Sequence, residues 1–119
     1  MTTASMGWLR TAVGVALIAA PGVPMRLAGT AAPTGAALLL MRTIGIRDLV
    51  LGLGTVTAAH AGDGSAARSW TTATLASDAL DTVVGLAALR SIGRRDSWLA
   101  AGLAFGFVCG DIQALRATV

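Results

Sequence analysis

Two groups of ionisable residues stand where the surrounding sequence is apolar. Arg47 and Asp48 interrupt the run Gly45-Ile46-Arg47-Asp48-Leu49-Val50-Leu51-Gly52-Leu53-Gly54, and Asp78 and Asp81 interrupt a second run further on. Ionisable side chains in hydrocarbon pair with one another, line an ion or proton path, or hold a ligand. Asp78 and Asp81 are three residues apart and share one helix face, together with Thr71, Thr74 and Gly85. Gly45, Asp48, Gly52 and Thr55 form a comparable stripe, with Arg47 one step, ~100°, round from Asp48. Small residues beside buried charge let helices approach closely and let guanidinium donors reach carboxylates. Arg42, Arg47, Asp48, Asp78 and Asp81 sum to −1, and Arg10 from the first apolar segment brings the set to zero. The expectation is a buried ionic network of Arg47, Asp48, Asp78, Asp81, Arg42 and Arg10.

Magnitudes favour pairing across helices. A central Arg or Asp costs ~2.5–3.5 kcal/mol on insertion, and each Leu, Ile, Phe or Val contributes only ~0.3–0.6 in the other direction. The ten Leu, Ile and Val from Leu38 to Val56 supply about 3–6 kcal/mol against about 5–7 for Arg47 plus Asp48. The six from Leu75 to Leu89 supply about 2–4 against about 5–7 for Asp78 plus Asp81. The deficit calls for a partner, and structural glue that sets helix register is the first reading. A transport or ligand path is the second, and a metal or catalytic centre the third.

Other chemistries find little support. Asp-x-x-Asp on one helix invites comparison with the CDP-alcohol phosphatidyltransferases, but those enzymes place Gly after the second Asp, where this chain has Thr82. Their further acidic pair is missing at the required spacing. Small multidrug transporters share the length but depend on a membrane-embedded Glu, and this chain has no Glu. His60 and Cys109 are each single in the sequence, so no zinc quartet and no Ser–His–Asp or Cys–His arrangement can be argued. No metal, no cofactor and no catalytic residue is expected. The formal charge of +3 does not indicate nucleic acid, because the nine Arg are scattered and several fall inside apolar runs.

These residues need helices to hold them. The chain has 119 residues, enough for one domain; 55% are hydrophobic and 13% charged, against roughly 25% charged in an average soluble domain. Lys and Glu, the commonest solvated side chains, are both absent. The composition points into the bilayer, toward an all-α, polytopic integral membrane four-helix bundle spanning residues 1–119. The first helix is expected at about 7–20, with Trp8 near the interface and Pro21-Gly22-Val23-Pro24 as its stop. At 14 residues it rises only ~21 Å. Arg10 lies too late, and Pro21 too close behind Ala20, for a secretory signal. A linker follows, with a helical turn around Met25 to Ala28. The second helix is expected at about 34–61, ended by Gly62-Asp63-Gly64. The third is placed at about 66–91 with Ser65 as N-cap, and the fourth at about 97–117. Gly102, Gly106 and Gly110 repeat the small-xxx-small spacing of a packing face, for this chain, a second copy or another membrane protein. Asp111 and Gln113 are expected at the solvated interface. The Arg distribution places both termini outside the cell.

The segment Gly45-Ile46-Arg47-Asp48-Leu49-Val50-Leu51-Gly52, taken with Asp78-Ala79-Leu80-Asp81, resembles the small bacterial membrane proteins of domain of unknown function 4267. That family carries G-x-R-D-x-x-L-G in its second helix and D-x-x-D downstream. The resemblance implies a four-helix membrane protein and names no activity. The reading from sequence is a non-enzymatic membrane component in a lipid bilayer, self-associating or partnered through its last helix. The alternatives are a proton-coupled or small-molecule carrier using the Asp residues and, third, a lipid-modifying enzyme.

Overall fold

The computed structural model describes residues 2–29, 32–87 and 106–116. The chain is all-helical. Helix α1 is Thr3–Ala19, α2 Gly22–Leu27, α3 Gly35–His60 and α4 Gly64–Ala87. A further helix, α5, covers 106–116. No helix among the described residues is both long and apolar enough to cross a membrane. The described residues form five helices, against the four expected, because the turn expected near Met25 extends into the separate helix α2.

α1 begins four residues earlier than its apolar run, for a local reason. Thr2 and Ser5 form a reciprocal capping box: the Ser5 N–H donates to Thr2 Oγ1 at 3.1 Å, and the Thr2 N–H donates to Ser5 Oγ at 2.9 Å. This satisfies two of the donors that a helix start leaves open. The added turn gives α1 17 residues, ~25 Å of rise. Pro21 lacks an N–H and cannot continue the helix, so the chain breaks at Ala20 and restarts as α2.

α3 starts at the side-chain cap of Thr34. At its other end Gly62 takes φ +70°, a conformation open to glycine, and the N–H groups of Gly62 and Asp63 return to the carbonyls of Ala59 and Ala58, both at 3.3 Å. Asp63 then caps α4, its Oδ1 accepting from the Ala66 N–H at 2.9 Å. The expected cap, Ser65, is displaced because the carboxylate one turn back reaches the open N–H first. Asp63→Ala should cost about 1 kcal/mol, read as a fall in thermal midpoint.

The α3–α4 hairpin is antiparallel, with the Trp70 ring laid on Gly54. α1 lies against α3 through four glycines. A Cβ built on Gly14 would stand 2.7 Å from the Gly45 carbonyl oxygen, and one on Gly52 would stand 2.7 Å from that of Gly7. Each pair, Gly7/Gly14 and Gly45/Gly52, is seven residues apart, which keeps it in one seam along its helix. Backbone thus meets backbone, and α1 comes close enough to α3 to place Arg10 beside Asp48.

Candidate functional site: a buried arginine–aspartate cluster

The site begins with Arg10, one of the least exposed residues described, at 1%. Its guanidinium reaches carboxylates from three helices. Nη1 donates to Asp48 Oδ1 on α3 at 3.1 Å and to Asp78 Oδ1 on α4 at 3.2 Å. Nη2 donates to Asp78 Oδ2, completing a bidentate pair, and to Asp111 Oδ2 on α5 at 3.3 Å. The Phe107 ring lies 4.3 Å from the guanidinium carbon, within the range of a cation–π contact. Asp48, Asp78 and Asp111 are all buried, at 2–3% exposure.

A second cation extends the cluster outward. Arg47 donates from Nε and Nη2 to Asp48 Oδ1, at 3.3 and 3.0 Å, and from Nη1 to Asp81. Its side chain is partly exposed, and that of Asp81 more so. Asp48 Oδ1 therefore accepts from both arginines and joins an inner group around Arg10 to an outer pair, Arg47–Asp81. Thr11, Thr55, Thr71 and Thr74 are also buried on the inward faces, each donating its hydroxyl to the carbonyl four residues back.

Of the residues singled out from sequence, Arg10, Arg47, Asp48, Asp78 and Asp81 meet in this cluster. Arg42 does not: it is exposed, and its Nε donates to the Ile18 carbonyl at 3.4 Å. Six residues before Asp48, it lies about 9 Å along α3 and on another face. Arg10 is the central cation, and Arg47 lies outside it. Asp111, expected at the solvated interface, is buried on Arg10, because α5 carries it inward. Gly45 and Gly52 pack helices, but against α1 rather than α4. Gly106 is exposed, with no atom of another described residue within 4 Å of where a Cβ would stand, whereas Gly110 is buried. The last-helix stripe is thus divided between outside and inside. Gly102 and the surroundings of Gly85 lie outside the described residues.

Among the described residues no set of three His, Cys, Asp or Glu side chains is arranged to hold a metal ion. A groove along the start of α4, lined by Gly64, Ser65, Arg68, Ser69 and Thr72, includes none of the cluster. Arg10 and Phe107 are the features sequence reasoning underrated. The signal was present for Arg10, in the charge sum, and missing for Phe107, whose role depends on the docking of α5. No family model, no curated protein and no solved structure matches this chain, so the functional reading rests on the geometry.

Proposed function

We propose that this chain is a non-enzymatic, multi-pass membrane component whose helices are fixed to one another by the Arg10-centred network. The observation that carries this is an inverted distribution of polarity. Among the described residues, nine polar or charged residues are buried against five apolar ones, and three of those five are Ala. The large apolar side chains point outward: Leu80, Val83 and Val84 are 63–66% exposed, and Leu39, Leu40, Ile46 and Val50 are also exposed. In water that arrangement forfeits the hydrophobic contribution to folding. In lipid it is the expected one, since acyl chains solvate Leu and Val while ionisable groups turn to the bundle interior.

The modest hydropathy of α3 and α4 has the same origin. Arg47, Asp48, Asp78 and Asp81 lower the average of any window containing them, yet Asp48 and Asp78 are buried and the partly exposed Arg47 and Asp81 pair with each other. At 26 and 24 residues, α3 and α4 rise ~39 and ~36 Å, beyond the ~30 Å hydrocarbon core. Glue is preferred to transport because every carboxylate of the inner group is paired and buried.

Alkaline carbonate washing of expressing cells tests this reading. The chain should stay with the membrane pellet. Release into the supernatant would remove the lipid partner from the account.

A further inference from the structure

We propose that the Asp78–Asp111 pair is a proton-binding site, and that the proton it holds controls docking of α5. The count of charges motivates it. Among the described residues four carboxylates, Asp48, Asp78, Asp81 and Asp111, share two guanidinium groups, Arg10 and Arg47. Arg10 makes its bidentate pair with Asp78, and Arg47 serves Asp48 and Asp81. Asp111 is left with a 3.3 Å bond to Nη2, a nitrogen that already donates to Asp78 Oδ2.

Two carboxylate oxygens thus converge on one terminal NH2 group, buried, with no further cation facing them among the described residues. The charged and titratable groups around the pair are Arg10 on α1, Asp48 and Arg47 on α3, and Asp81 on α4 beside Asp78 itself. Four anions against two cations leave a surplus. Arg47 and Asp81 pair with each other at the partly exposed edge, which leaves the surplus with the inner group. Negative charge in excess there, away from water and gathered on Arg10, carries a large desolvation cost that uptake of a proton removes.

A carboxylic acid at Asp111 or Asp78 removes one negative charge and supplies an O–H donor to its neighbour. The proton comes from water and returns to it when α5 leaves, so the exchange is reversible and needs no other reactant. The inference concerns only the buried cluster and holds whether or not the outer surface meets lipid.

The sign follows from linkage. The docked state holds one proton more than the undocked state, so docking is complete at low pH and is lost as pH rises. With one proton in play, the docked-to-undocked ratio falls about tenfold per pH unit above the midpoint. Ala114 on α5 has no exposed surface, so a cysteine there reports docking. The experiment uses full-length Ala114→Cys, with Cys109→Ser to remove the native thiol, in detergent. Maleimide labelling is followed from about pH 5 to about pH 10, each rate divided into that of the same chain in SDS to remove the thiol's own pH dependence.

Protection should be high at the acid end and fall with the stated slope. Asp111→Asn, which mimics the protonated acid, should keep protection at every pH. Asp78→Asn, made in parallel, should also abolish the slope. Protection that does not change with pH in the otherwise native chain overturns the proposal. So does an unchanged slope in both Asn variants, or loss of protection in both at every pH.

Discussion

Replacing Arg10 by Leu is expected to prevent the helices from assembling. Three buried carboxylates on three helices lose their common cation at once, and Phe107 loses the guanidinium beside its ring. Removing one partner of a buried pair costs ~3–5 kcal/mol, set against a total stability of roughly 5–15 for a whole domain. Arg10→Lys should recover only part of the loss, since an ammonium has no planar fork for the bidentate contact with Asp78. Arg47→Leu should be milder, at about 1–3 kcal/mol, between the values for exposed and buried pairs, because Arg47 and Asp81 are partly exposed. The triple change Arg10→Leu, Asp78→Leu and Asp111→Leu should regain much of the stability, because it removes the stranded charges and leaves Asp48 with Arg47. Thermal unfolding in detergent compares the four variants. An Arg10→Leu protein that melts with the native chain would dissolve the network.

The second large effect is steric. Gly52→Leu should separate α1 from α3 and so pull Arg10 away from Asp48. Even its Cβ would stand 2.5 Å from Thr11 Oγ1 and 2.7 Å from the Gly7 carbonyl oxygen and the Thr11 nitrogen. Two of these three atoms are backbone and cannot rotate aside. Overpacking ordinarily costs ~1–3 kcal/mol, and here the loss of the ionic bonds is added to it. Gly35→Ala is the control, because a Cβ there meets nothing within 4 Å. It should leave the thermal midpoint unchanged or raise it, Ala being the better helix former by ~1 kcal/mol. Equal destabilisation by both variants would mean that the glycine seam is not what holds α1 to α3.

The sequence made the helical stripes legible, because Gly45, Asp48, Gly52 and Thr55, like Thr71, Thr74 and Asp78, repeat at helical spacing and fall on buried faces. The rank of the cations was not legible. Arg47 sits next to Asp48 in sequence, but the ~100° step between neighbours puts it on the flank of α3, where Arg10 can take the centre. The role of Gly7 and Gly14 is a property of two helices: their seven-residue spacing acquires meaning only when set against that of Gly45 and Gly52. Asp111 was placed by its nearness to a helix end, whereas its depth depends on the register in which α5 docks. No local pattern encodes that register. The early start of α1, by contrast, was written locally in Thr2 and Ser5, beyond the edge of the apolar run that defined the helix.

The central claim is that polarity is inverted, with the ionic cluster inside and acyl chains outside. Spin labels on single cysteines at Val50, Leu80 and Val83, in chain reconstituted into phospholipid vesicles, test it most directly. The account predicts that oxygen, which concentrates in hydrocarbon, broadens all three spectra strongly, and that a water-soluble nickel chelate leaves them nearly unaffected. Ready collision with the nickel chelate at all three positions would place that surface in water and contradict the account.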